Sequence, residues 1–564
     1  MPDFSSLVDE FLINEFETSP VTATTLGVTK YDDQLDDLSA SAFHKRDSDA
    51  AAWLRRFDGA ASDDLSADDE IDRQLAIATL RGRLIHAGWY GWKRDPVVYS
   101  GPILNGLFYL FLNRLRPTAE LVDAAVSRLE QVPEAVEQAI ANLDPALANR
   151  LIVERGMGSV QAGARYVRDM LVEEADTDTQ RYLLRAAGAI AGDALDELAA
   201  HLETLAQEAR GDWSYGEERY SRQLRERERL DFDARSLREM GRVEYDRLDA
   251  EMQGLAREIS GKPDWKTVLD EANEDHPRTE EEMRRAYAEW TERSRTFLAE
   301  TGLVTLPDGE SCTVEPAPVF TRPLFAVASY SGPPAFSDQR AGHFFVPIAP
   351  DGTSEDEIQQ RLASNSFAGI PTTAVHEAYP GHHWHITWSK IHAPRLRLVL
   401  QTSYFSEGWA LYAERVMRER GFFTDPIQEL YHLEATIFRA ARIIVDTSLH
   451  MGEMTYDEAV EFMIAKTSLT EPTARAEVGR YCSWPTQASS YLTGCLEILR
   501  IRDRYLGARG IATEPRTEIP VEALRDFHDR LAGSGRLPVG LAEQALLGAA
   551  TEPDAARYVP ASPT

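Results

Sequence analysis

HEAYPGHH, His376 to His383, and EGWALYAE, Glu407 to Glu414, are the two stretches on which the reading of this chain turns. His376 and Glu377 form an adjacent His-Glu pair. In such a pair the imidazole binds a metal, and the carboxylate beside it takes a proton from metal-bound water. The usual pattern puts a second His four residues after the first, one turn on along the same helix face. Position 380 is Pro, so that pattern is broken. On a straight helix His382 would be rotated ~240° from His376 and lie ~9 Å along the axis, whereas His383 would return to the right face but lie ~10.5 Å away. Zn–N bonds of ~2.1 Å do not span either gap without strain. Pro380 has no N–H for the His376 carbonyl and its ring clashes with that carbonyl, while Gly381 tolerates backbone angles that other residues avoid. The sequence therefore predicts a helix bulged or kinked at Pro380-Gly381, which brings a later His, His382 or His383, back to the ion. Five of the 13 histidines fall between 376 and 392, which favours a metal site over surface histidines trailing a finished helix.

The second stretch supplies the third ligand. Glu407 follows His376 by 31 residues, and Glu407 and Glu414, seven apart, share one helix face. Trp409, Leu411, Tyr412 and Val416 surround the acids with bulky apolar groups, which suits burial. A buried carboxylate needs a partner, and a metal ion or a ligating imidazole is a good one.

On these motifs the chain resembles the bacterial domain of unknown function 885 family. Around them it also resembles the gluzincin metallopeptidases of the thimet oligopeptidase and carboxypeptidase Taq kinds. Those peptidases carry His-Glu-x-x-His, then a helix with two glutamates seven apart, the first of them a ligand. The resemblance implies that His376, His382 and Glu407 hold the metal, with Glu414 behind them and His383 as the alternative to His382. The two residues inserted before His382 depart from the peptidase pattern. RYCSWPTQASSYLTG, Arg480 to Gly494, is similar to a downstream segment in which Tyr or His side chains stabilise the oxyanion. By that likeness Tyr481 and Tyr491 are oxyanion donors, and Arg480 anchors a substrate carboxylate.

With 564 residues the chain is long enough for a large core and two to four domains. Its 43% hydrophobic and 27% charged content is ordinary for a globular protein. A net charge of −32 argues against nucleic acid and anionic membrane surfaces as partners. Cys312, Cys482 and Cys495 form no CxxC pair and leave an odd count, so no disulfide framework is expected. The start, MPDFSSLVDEFLINEF, lacks a basic segment and a long apolar core. It does not read as a signal peptide, and a cytoplasmic location is expected.

Along the chain, helical periodicity predicts a mainly α protein with two units, 1–211 and 212–564. GPILNGLFYLFL, from Gly101, is apolar all round and should be buried. Helices are expected near 67–89, 118–131, 133–143, 146–155 and 158–174. A seam at Leu184, Ala187, Ala191, Leu195, Leu198, Leu202 and Leu205 marks another. Thr22 to Ser39 is an irregular, Asp-rich stretch with no chemical reading. Helices resume near 233–258, and Thr279 with Glu282 predicts a capping box opening a helix to about 301. Between about 311 and 348, β-branched and aromatic runs punctuated by Pro and Gly predict a small antiparallel sheet. The resemblance to gluzincins implies that its strand near His343 to Val346 is an edge that binds an extended peptide, with a purely scaffolding sheet as the alternative. The metal-site helices fall at 370–420, in a gluzincin-like fold with a deep groove. A helix near 427–451 carries Asp446 and His450, four apart and able to touch. Two more helices follow near 520–532 and 538–550, and a loose tail after Glu552.

The function these readings favour is hydrolysis of short peptides. Zn²⁺ is the expected ion, with Mn²⁺ or Co²⁺ as alternatives. Glu377 is the general base. Two rivals are a metal hydrolase for another amide or ester, and a non-catalytic scaffold that kept the helices and lost a ligand.

Overall fold

The Leu184–Leu205 seam is buried along a single helix, Asp178–Glu208, in the computed structural model of the chain. Thr177 and Gln180 close a capping box at its start. The seam packs on the helices Thr118–Asn142 and Arg150–Arg165. Together with the apolar helix Val97–Asn113 they enclose one core. The predicted break before Pro133 does not occur, since Pro133 lies inside one continuous helix. The structure describes residues 3–60, 65–323, 327–513 and 518–548. The tail expected after Glu552 lies outside the described residues.

The irregular stretch after Thr22 acquires a physical reading here. Arg128, fully buried, donates to Gln34 O at 2.9 Å, Tyr31 O at 3.1 Å and the Thr24 hydroxyl at 2.6 Å, and also to Gly106 O. A single guanidinium thus satisfies carbonyls of a segment that forms no sheet and little helix, and fixes it against the first core.

A second, larger core runs from Phe11, Phe57 and Leu75 through the helices after residue 215 to Leu541. The helix Glu280–Thr301 enters it, capped by the Thr279 hydroxyl. Glu282 reaches past the cap to the Arg278 N–H at 2.7 Å, so the predicted capping box is only half made. The sheet beside it differs from expectation. Strands β1 (Ser311–Pro316), β2 (Ser329–Ser331) and β3 (Ala341–Val346) stand in the order β1-β3-β2. β1 runs parallel to β3, with Ser311 opposite Ala341, and β2 runs antiparallel to it, with Ser331 opposite His343. The sheet is therefore mixed rather than antiparallel. The chain leaves β1, forms β2 on the far side, and has room in that excursion to return beside β1 in the same direction. β3 is consequently the central strand, and the edges belong to β1 and β2.

Candidate metal centre

The breaker in HEAYPGHH ends one helix and starts another. The first, Ile370–Glu377, stops with His376 and Glu377 both buried. The second, His382–His392, opens on His382. Between them the Gly381 N–H donates to Val375 O at 3.1 Å, and the Pro380 carbonyl accepts from the Trp409 indole at 2.8 Å. Gly381 is obligatory by contact: a Cβ there would sit 2.0 Å from His376 O and 2.2 Å from Val375 O. The result is the return that the sequence predicts, with the His376 and His382 rings 4.9 Å apart at 89°.

Glu407 arrives on the helix Ser403–Glu419, whose start is capped by Thr402. This helix crosses Ser490–Gly507 at Gly408 and Gly494. A Cβ on Gly494 would lie 1.9 Å from Tyr404 O, so the two backbones approach as only glycine permits. Glu407 Oε2 then stands 3.6 Å from His376 Nε2 and 3.3 Å from His382 Nε2. The three ligand atoms all fall within 4.8 Å of one another. Those gaps exceed the 2.7–2.9 Å of a charge-assisted hydrogen bond. They match the ~3.4 Å edge of a tetrahedron around an ion with ~2.1 Å bonds. Behind His376, Nδ1 donates to Glu414 Oε1 at 2.6 Å, which leaves Nε2 free to act as a ligand. His432 lies 3.4 Å from the other Glu414 oxygen.

The electrostatics of the cluster favour a cation. Burial lowers the affinity of His376 for a proton, but Glu407 and Glu414 outweigh it and raise the imidazole to about 9. Burial pushes Glu414 up, yet His376, His432 and Arg439 bring it down to about 2. Glu407, opposed by burial in the same way, is held well below the usual range by His376 and His382. Glu377 moves the other way: its burial dominates and raises it, against the pull of His376 and His382. Glu377, Glu407 and Glu414 thus meet the imidazoles of His376, His382 and His432, and the buried His376/His382/Glu407 cluster could chelate a divalent metal.

The remaining candidates from the sequence fall into four groups. His383 turns away from the cluster; its Nε2 donates to Glu310 at 2.7 Å and its Nδ1 accepts from Tyr330 at 2.8 Å. The ring of Tyr330, on β2, in turn stacks on His382 at 6.4 Å. Asp446 and His450 are 3.6 Å apart, in a buried group with Tyr220 and Ser489. Tyr481 donates to Glu477 at 2.8 Å and accepts from Arg442 at 3.1 Å, and Arg480 pairs with Glu477 at 2.9 Å. Tyr491 stacks on His376 at 6.2 Å. Sequence reasoning missed Glu310, Tyr330, His432, Arg439 and Arg442. Glu310 and Tyr330 carry no local signal. Arg439 and Arg442 do: with Asp446 and His450 they share one face of the helix Pro426–His450.

The fold and the site define a mainly α-helical protein with a small mixed sheet and a buried His/His/Glu centre. The chain belongs to the family described as bacterial protein of unknown function (DUF885), whose model matches residues 20–546. Two solved structures share the fold. One, from Shewanella oneidensis, is described as a "putative lipoprotein of unknown function". It is 20% identical with a TM-score of 0.75, over 97% of this chain and 100% of that one. The other, from Colwellia psychrerythraea, is described as a "putative lipoprotein". It is 20% identical with a TM-score of 0.80, over 96% and 98% of the two chains. No curated protein matches the chain. The expected cytoplasmic location is corrected by these structures. The same fold occurs in proteins described as lipoproteins, which the reading of the first residues did not foresee. Among the described residues no helix is long and apolar enough to cross a membrane.

Proposed function

We propose that the protein is a zinc-dependent metallopeptidase of gluzincin-like type acting on short peptides. The observation that carries this reading is the convergence of His376, His382 and Glu407, whose ligand atoms lie within 4.8 Å of one another, with Glu377 beside the first of them. A bound Zn²⁺ would supply Lewis acidity to the scissile carbonyl and a water of lowered pKa. Glu377, buried beside His376, would accept a proton from an attacking water and pass it to the leaving amine. Glu414 fixes the His376 tautomer. Of the two tyrosines, Tyr481 is occupied by Glu477 and Arg442, so Tyr491, against His376, is assigned as the donor to the developing oxyanion.

The test joins metal analysis to peptide turnover. Purified protein should carry close to one zinc per chain and hydrolyse short peptides. Glu377→Gln should keep the zinc while turnover falls by about 10²–10⁴-fold. Full activity in that variant, or zinc-loaded protein without turnover of a mixed peptide library, would sink the proposal.

A further inference from the structure

The metal centre opens into a cavity of about 360 Å³, one wall of which is a single face of the helix Pro426–His450. Tyr431, Glu434, Phe438 and Arg442 step along that face by three and four residues. The cations of the lining are already committed. Arg442 pairs with Glu477 at 2.7 Å and Arg361 with Glu357 at 2.9 Å, both acids that lie outside the lining. Arg439 donates to the Ala435 carbonyl at 3.0 Å, and its guanidinium lies 5.4 Å from the Phe438 ring. The acids are less well matched: Asp270, Glu280, Glu377 and Glu434 all line the cavity. One oxygen of Glu434 accepts from the Ser468 hydroxyl at 2.6 Å. The other has no hydrogen bond or ion pair among the described residues, and it is not sealed off, since the side chain is partly exposed. Burial raises this carboxyl against the pull of Ser468, Arg439 and Arg442. A cation at the open oxygen would reverse that rise. The rings of Tyr431 and Phe438 flank the carboxylate along the helix and offer an apolar surface to the stem of a long basic side chain.

The helix also sets how far that cation sits from the chemistry. Glu434 precedes Arg442 by eight residues, ~12 Å of helix. The Arg442 guanidinium carbon is 4.6 Å from the Tyr491 ring, which stacks on His376 at 6.2 Å. At ~3.5 Å per extended residue, that interval takes about three to four residues of peptide. We infer that Glu434 receives the ammonium or guanidinium group of a Lys or Arg side chain in the substrate, within about four residues of the bond that is cut. The inference rests on the peptidase reading above and adds a substrate class to it: peptides with a basic residue near the cleaved bond. Glu434 sets specificity, and the proton transfer stays with Glu377. The net charge of −32 acts in the same sense, since it draws cationic peptides toward the protein.

The experiment uses the zinc-loaded full chain and two series of N-acetylated, C-amidated alanine octapeptides. One series carries a single Lys moved along the peptide, and the other carries norleucine in its place. At one or two positions kcat/KM for Lys should exceed that for norleucine by at least ~10-fold, mainly through KM. Glu434→Gln should erase that ratio with native circular dichroism, and Glu434→Asp, which keeps the charge on a shorter arm, should retain part of it. Calorimetric binding to the Glu377→Gln protein gives a readout independent of turnover and should rank the peptides in the same order. Equal kcat/KM or equal binding for Lys and norleucine at every position overturns the inference without recourse to a Glu434 variant. So does a preference for Lys that survives Glu434→Gln. A free N-terminus on the norleucine series that matches the gain from Lys, and loses it in Glu434→Gln, overturns the side-chain assignment and places the chain-end ammonium there instead. Failure to hydrolyse any peptide despite ranked binding counts against the peptidase reading and leaves the cation site standing.

Discussion

Two adjacent imidazoles separate the chemistry from the scaffold. His382 faces Glu407, and His383 faces Glu310. His382→Ala should therefore remove the metal, whereas His383→Ala should keep it. The second variant leaves the Glu310 carboxylate and the Tyr330 hydroxyl without their imidazole, and should cost about 2–4 kcal/mol of stability, read by denaturant unfolding. Glu414→Gln keeps the shape of the side chain but weakens its hold on the His376 ring. Zinc affinity should fall ~10–100-fold in competition with a chelator. At this scale the sequence was informative where chemistry and spacing agree. The His-Glu pair and the two acids seven apart named His376, Glu407 and Glu414 without a structure. The choice between His382 and His383 was not legible from helical geometry, because both miss the ion on a straight helix. Arg439 and Arg442 escaped notice because an Arg on an amphipathic helix reads as solvated until its neighbours are known.

Among the elements, helices were read best and the sheet least well. The Leu184–Leu205 seam repeats a 3.6-residue period over many turns, and no alternative structure buries it. The sheet was found, but its pairing was not, because strand direction depends on a connection that local β-propensity does not describe. Pro133 misled in the opposite sense. A missing N–H was read as a boundary, yet the flanking buried residues hold the helix through it. The turn between the two metal helices offers the sharpest check. Gly381→Ala places a methyl against two carbonyl oxygens that cannot withdraw without moving His376. We expect a loss of at least ~2 kcal/mol in unfolding free energy together with loss of bound zinc. Gly254→Ala, on an open helix face with nothing within 4 Å of the added carbon, serves as the control. It should be neutral or stabilise by up to ~1 kcal/mol.

For the molecule as a whole, helical periodicity along the chain predicted a mainly α protein, and the helices packed around two apolar cores match it. The correction to location came from whole-fold likeness, which no local stretch could supply. The charge network behind the site makes acid stability a property of the entire fold. Burial opposes ionisation of Glu477, but Arg480 and Arg442 overcome it and hold the carboxyl well below the usual range. A carboxyl depressed on folding stabilises above its unfolded value of ~4.5 and loses that contribution as the pH falls through its folded value. The midpoint of thermal unfolding should thus start to drop as the pH falls below about 4.5 and go on falling toward the folded value, and Glu477→Gln should flatten that slope while lowering the neutral-pH plateau. Since the neighbouring imidazoles leave the turn in opposite directions, the interval between Glu377 and His382 acts as a phase setting. Deleting one residue there would bring His383 into the place of His382 and Trp384 into the place of His383, and adding one would bring Gly381 and His382 into those places. Either change leaves one of the two places without an imidazole, so in this short interval the chain has little freedom to change its length.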